Sequence, residues 1–264
     1  MLEAPDGETR LFPILGDPIR FVKSPQQLTL GFARRGHNGV CIPMHVAQSG
    51  LDPVMQGLAR TRNVDGLLVT MPHKHAAFAY CGTCSDTSRR LGAVSVMRRN
   101  RDGTWHGDML DGQAFVGAQL GAGARPAGAR VLLIGAGAAG SAIAIALLGA
   151  GVRELIIHDA DEARVARLLR ILDLRGGQRA ISGPPDPTGC DIVCHATPTG
   201  MANSDPLPVA AHRLQASMFV ADVVAGHGVT PLMQAARAAG CATADGVQMV
   251  QAVQEAMLDF MLGL

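Results

Sequence analysis

Short apolar runs, bounded by Gly, Pro or Asp, alternate with longer amphipathic stretches along nearly the whole chain. LFPIL (11–15), VCIPM (40–44), GLLVT (66–70) and AVSVM (93–97) have strand length and carry the β-branched residues that pack well in sheets. Segments 25–34 and 51–60 repeat apolar residues at helical spacing. Ser24 followed by Pro25 reads as a capping hydroxyl with proline at the first helical position. Strand and helix in alternation predict an α/β fold on parallel sheets.

The pattern breaks once, at GAGARPAGAR (121–130), a small, flexible, proline-interrupted stretch that suits a connection into a new strand at Val131. Beyond it the pattern predicts a helix to about 148, a strand at 154–158, a helix at 161–174, and strands at 191–195 and 218–222. A last helix at 247–262 is apolar on a broad face and suits a return to the first domain. A chain of 264 residues can build two cores. The expected organisation is an N-terminal α/β substrate domain (1–110 with 242–264) and a Rossmann doubly wound parallel sheet (111–241).

The second domain opens on VLLIGAGAAG, in which Gly135, Gly137 and Gly140, with Ala138 and Ala139 between, have G-x-G-x-x-G spacing. The spacing alone is weak evidence. Here an apolar strand precedes it, an Ala-rich helix follows, and Asp159 ends the next strand, 19 residues after Gly140. The first glycine allows a tight turn, the second lets a pyrophosphate approach, and the third lets the helix pack closely, with its N-terminus facing the phosphates. A carboxylate at Asp159 would accept from a ribose 2′-hydroxyl and repel a 2′-phosphate, so NAD is expected over NADP. The competing reading of Asp159 is a cap on the following helix, for which Asp161 is better placed.

Composition narrows the partner. A net charge of +1 spread along the chain gives no electrostatic footprint for nucleic acid or an anionic membrane, so a small molecule is the expected partner. No apolar run reaches the roughly 20 residues of a membrane span, and the first residues lack a secretory layout, which predicts a cytoplasmic protein. The 6 cysteines read as reduced thiols, and the Cys81/Cys84 pair lacks the second pair that a zinc site needs. His45, His73, His75, His106 and His195 show no ligand spacing, so no metal is expected. Of 23 basic side chains only Lys23 and Lys74 are lysine. Arginine stays protonated whereas lysine can lower its pKa and exchange a proton, which singles out Lys74.

Four segments ahead of the glycine motif, GDPIRFVKSP (16–25), VTMPHK (69–74), LGAVSVM (91–97) and HGDMLDG (106–112), resemble the shikimate and quinate dehydrogenase family. ATPTGM (196–201), DVVAGHGVTPL (222–232) and DGVQMV (245–250) extend that resemblance over most of the chain. It implies a substrate domain completed by the C-terminal helix, with the cofactor domain inserted between. Lys74 and Asp111 match the family's catalytic pair. A lysine tuned by a neighbouring carboxylate can take the hydroxyl proton as hydride leaves carbon. Asp111 is equally suited to cap the helix at 112–120, and the two roles are compatible. Ser24, Thr70, Val22, Ser95 and Val253 fall at substrate-binding positions. Thr197, Met201 and Gly246 fall at cofactor-binding positions, although Met201, like Met249, is equally suited to ordinary core packing.

The departures bear on the substrate. Val22 replaces one of two hydroxyls expected to hold a carboxylate, and Ser95, Met109, Leu110, Ala225 and Val253 replace further polar side chains, while Gln254 stands one residue beyond the expected glutamine. A pocket that has lost these groups favours a less polar hydroxylated ring than shikimate or quinate. Ser24 and Thr70 keep polar contacts, and Arg20 is a candidate replacement charge for a carboxylate. Genuine shikimate or quinate dehydrogenase activity is the rival reading. A non-catalytic NAD-binding regulator is a second, opposed by the retention of both Lys74 and Asp111. The oligomeric state stays open, a homodimer being the assembly considered.

Overall fold

The computed structural model describes residues 4–202, 204–225 and 228–264. The chain forms two compact units, Met1–Leu110 with Val253–Leu264 and Asp111–Ala252. Among the described residues no helix is long and apolar enough to cross a membrane.

In the first unit the elements run β1 (Arg10–Gly16), α1 (Ser24–Arg34), β2 (Gly39–His45), α2 (Leu51–Arg60), β3 (Gly66–Val69), α3 (Lys74–Phe78), β4 (Cys81–Cys84), α4 (Asp86–Leu91), β5 (Val96–Arg99) and β6 (Trp105–Asp108). The six strands make one sheet in the order β2-β1-β3-β5-β6-β4. β1 runs parallel to β2 and β3, whereas β5 runs antiparallel to both β3 and β6. A wholly parallel sheet was expected. The short turn at Gly103 between β5 and β6 explains the difference, because only antiparallel neighbours can be joined so tightly. Pro43 is tolerated in β2 because β2 is an edge strand. Leu15, Met55, Leu67, Val69 and Met97 form the core over one face, and Phe12 stacks on Phe32 at 4.3 Å between centroids. Ser24 is the first helical residue of α1 and is buried; the N-cap is Lys23, with no side-chain bond, so the expected capping role of Ser24 is not realised.

In the second unit the elements are α5 (Asp111–Gly121), β7 (Arg130–Ile134), α6 (Ala138–Gly149), β8 (Glu154–His158), α7 (Glu162–Ile171), β9 (Arg179–Ser182), β10 (Ile192–His195), β11 (Phe219–Asp222), α8 (Pro231–Ala238), β12 (Ala242–Ala244) and the start of α9 (Gly246–Leu262). All six strands are parallel, in the order β12-β11-β10-β7-β8-β9. Read from the other edge this is the doubly wound 3-2-1-4-5-6 order, whose switch point lies between β7 and β10. Both faces are covered. Val131, Leu133, Leu155 and Ile157 join one core, and Leu132, Ile134, Ile156 and Val193 the other, which is why these strands read as unbroken apolar runs. α6 meets α5 so closely that a Cβ on Gly112 would lie 2.3 Å from the Ala142 carbonyl oxygen.

The boundary between units falls inside α9, at 252/253. The last part of that helix packs on α1. A Cβ on Gly31 would lie 2.5 Å from Leu258, and Arg35 bonds Glu255 and Asp259 at 2.6 Å each.

Candidate functional site

The glycine turn has the geometry its spacing predicts. Gly135 has a φ of +108°, a left-handed conformation open to glycine. A Cβ on Gly140 would sit 1.9 Å from the Gly135 carbonyl oxygen, so the third glycine is required by packing of α6 on its own entry turn. Gly137 differs, since a Cβ there would meet nothing within 4 Å. It stands at the N-cap of α6, where first-turn amides lack intrahelical partners, with open space before it and Ala138 and Ala139 half-buried beside it. This cradle fits a pyrophosphate.

Asp159 stands at the carboxyl end of β8 with both oxygens engaged. Oδ2 accepts from the Ala136 amide at 2.7 Å and Oδ1 from the Asp161 amide at 2.9 Å. Its carboxylate ties the glycine turn to the β8–α7 connection, and two backbone dipoles offset its charge. The helix cap is Asp161, which accepts from the Ala163 amide at 3.0 Å.

Thr197 follows β10 directly. A Cβ on Gly135 would lie 2.7 Å from the Ala196 carbonyl oxygen and 2.9 Å from the Thr197 methyl, so loop 196–201 lies against the glycine turn at the switch point. Met201 in that loop is half-buried. Gly246 lies where a Cβ would meet the Val223 carbonyl oxygen at 2.5 Å, and Met249 packs against the core of this unit. Thr197 converges here with three polar side chains that had no role assigned from sequence. His195, Asp222, Thr197 and Thr230 are joined by hydrogen bonds of 2.6 to 2.9 Å, and His195 and Asp222 are both 1% exposed. The available signal was a polar residue ending each of two apolar runs, IVCH and FVAD, at neighbouring strand ends.

In the first unit Lys74 begins α3 and is half-buried. Its carbonyl accepts from the Val94 amide at 3.0 Å, and the preceding His73, fully buried, donates from Nε2 to the Val46 carbonyl at 2.6 Å. These bonds fix the backbone on either side of the amine. Thr70 abuts Gly16, where a Cβ would come within 2.3 Å of the threonine methyl. Ser95, expected to face substrate, is buried with its hydroxyl accepting from the Leu110 amide at 2.9 Å, so it latches backbone. Met109, Leu110 and Val253 are 2%, 4% and 2% exposed, and Val22 is half-buried. Gln254 donates to the Gln27 carbonyl at 3.1 Å, a structural bond, and Arg20 is exposed with its guanidinium 4.3 Å from the Phe21 ring centroid. Asp111 opens α5 in the second unit and is 7% exposed.

One unit thus has the sheet order and glycine cradle of a dinucleotide-binding module, and the other carries Lys74, the lysine that the sequence singles out. The class they define is a nucleotide-dependent oxidoreductase. The family description "Shikimate dehydrogenase substrate binding domain" matches residues 14–97. A curated shikimate dehydrogenase (NADP(+)) from Rubrobacter xylanophilus is 36% identical over 250 residues, 93% of this chain and 88% of that protein. The solved shikimate 5-dehydrogenase from Listeria monocytogenes, in complex with shikimate and NAD, has a TM-score of 0.85 at 26% identity, covering 100% of this chain and 95% of that one. The ligand-free 5-ketofructose reductase of Gluconobacter has a TM-score of 0.83 at 26% identity, covering 97% and 94%. The chain belongs to the shikimate dehydrogenase family.

The expected preference for NAD is overturned. Curated relatives from three organisms are named as NADP(+) enzymes. Both oxygens of Asp159 accept backbone amides, whose dipoles offset the charge that was expected to repel a 2′-phosphate.

Proposed function

We propose that the protein is a dehydrogenase moving hydride between NADP(H), the cofactor in the names of its curated relatives, and a hydroxyl-bearing carbon of a small cyclic compound. The observation that carries this reading is a near full-length relationship to shikimate dehydrogenases in a chain that keeps both Lys74 and Asp111. The dinucleotide supplies or accepts the hydride when bound, and Gly135, Gly137 and Gly140 with Ala138, Ala139, Thr197, Met201 and Gly246 are the residues that would hold it. Lys74 takes the hydroxyl proton and steadies the developing alkoxide, and Asp111 matches the second member of the family's catalytic pair.

Within that reaction, the favoured substrate is a ring less polar than shikimate or quinate. Support comes from Met109, Leu110 and Val253, apolar and buried at positions where polar groups were expected, and from a Ser95 hydroxyl already used by backbone. Ser24 and Thr70 keep polar contacts. The second reading is shikimate or quinate itself, favoured by the names of the curated relatives. A turnover panel of cyclic hydroxy acids and diols with NADP separates the two. The first reading expects the highest kcat/KM on a ring with fewer hydroxyls than shikimate. Efficient oxidation of shikimate or quinate above all others would replace it with the second.

A further inference from the structure

The polar chain at the carboxyl ends of β10 and β11 has a direction. A carboxylate can only accept, so Asp222 Oδ1 takes the hydrogen on His195 Nδ1 at 2.9 Å together with the Val224 amide at 3.0 Å. Asp222 Oδ2 accepts from the Thr230 hydroxyl at 2.6 Å, and the Thr230 oxygen in turn accepts from the Met233 amide, capping α8. At the other end the Thr197 oxygen accepts from the Thr199 amide at 3.2 Å, which leaves its hydroxyl hydrogen for His195 Nε2 at 2.6 Å. Every donor has one acceptor, and the chain runs unbroken from loop 197–201 to the first turn of α8.

Buried polar chains cost desolvation and persist where they hold a geometry. The geometry held here is that of the loop beside the glycine turn. His195 pairs in register with Ile134, the last residue of β7, so its ring lies one strand from Gly135 at the switch point, where doubly wound sheets bind ligands. We propose that His195 is a positioning residue which, anchored by Asp222 and the Thr230 cap, holds Thr197 and loop 197–201 in the conformation that receives the dinucleotide. This rests on the dinucleotide reading above. Dinucleotide affinity then depends on an imidazole that is itself only 1% exposed.

Calorimetric titration of NADP into the whole protein reads the effect without turnover. His195→Leu breaks both bonds at similar bulk and is expected to weaken NADP binding about tenfold, the size of two lost hydrogen bonds. In turnover the KM for NADP should rise by a similar factor, with the KM for the ring substrate and kcat little changed. His195→Gln keeps one donor and one acceptor and should recover most of the affinity. Thr197→Val cuts the same link from the half-buried loop side and serves if His195→Leu fails to fold. The double variant should bind no worse than the weaker single one, because both break one chain. Unchanged NADP affinity in folded His195→Leu or Thr197→Val, additive effects in the double variant, or an equal rise in both KM values would overturn the proposal while leaving the dinucleotide reading intact. Failure of the unaltered protein to bind NADP would overturn both.

Discussion

The residues at the glycine cradle of the second unit and those at the substrate positions of the first are finished in opposite ways. In the second unit, polar side chains at the strand ends bond to one another and to backbone. Asp159 holds two amides, and Thr197, His195, Asp222 and Thr230 form an unbroken chain. In the first unit the positions where substrate contacts were expected have moved toward the apolar, with Met109, Leu110 and Val253 buried and the Ser95 hydroxyl taken by an amide, while the backbone of Lys74 is fixed on both sides. The contrast separates what a dinucleotide needs from what a substrate needs. A pyrophosphate is gripped largely by backbone, so glycines and the groups that brace them suffice. A ring is told from its neighbours by side chains, and these can be exchanged without disturbing the fold.

The sharpest way to break this contrast is inside the glycine turn. Gly140→Ala forces a methyl to within 1.9 Å of the Gly135 carbonyl. It should destabilise the second unit by about 2–3 kcal/mol, read as a lower midpoint of thermal or denaturant unfolding. Gly137→Ala, with open space before it, should leave that midpoint unchanged and weaken NADP binding, read by calorimetry. Equal loss of stability in both variants would mean that the second glycine is structural too.

The first unit is tested by restoring polarity. Met109→Asn with Leu110→Thr should raise kcat/KM on shikimate about tenfold, the worth of one to two hydrogen bonds, while leaving NADP affinity unaltered. A fall on every ring would show that the apolar side chains are needed for packing and do not select substrate.

The smallest effect concerns the thiols. Burial pushes Cys41, Cys81 and Cys194 up to about 12. A raised pKa keeps each as a thiol at every pH below that value, and the thiolate is the reactive form. Iodoacetamide near neutral pH should leave all three unmodified in the folded protein, with activity intact, as mass spectrometry of the peptides would read. Rapid labelling of Cys194 would contradict the packing of β10.

The second unit was the more legible in the sequence, and the reason is physical. Its central strands β7, β8, β10 and β11 are buried on both faces, so they appear as apolar runs, and Gly135 and Gly140 answer to backbone geometry that spacing alone encodes. The first unit hid more. β4, β6, α3 and α4 have four to six residues each, too few for a period to declare itself, and the antiparallel β5 depends on a turn rather than on the strand's composition. Lys74 stood out because lysine is rare here. Asp159 stands at its strand end as expected, and the amides its carboxylate holds are a feature that no sequence pattern shows. His195 showed only a lack of ligand spacing in the sequence; its partner Asp222 ends the neighbouring strand β11, an alignment that the sheet order reveals.

The central claim is that hydride passes between a ring alcohol and the cofactor with Lys74 taking the proton. Its most direct test supplies NADP and ring alcohols deuterated at the carbinol carbon, and weighs the recovered cofactor by mass spectrometry. Reduced cofactor carrying the deuterium is expected with the unaltered protein, and a rate lower by about a thousandfold with Lys74→Ala at unchanged NADP affinity. Reduced cofactor formed equally fast by Lys74→Ala, or none formed by a protein that binds NADP, would contradict it.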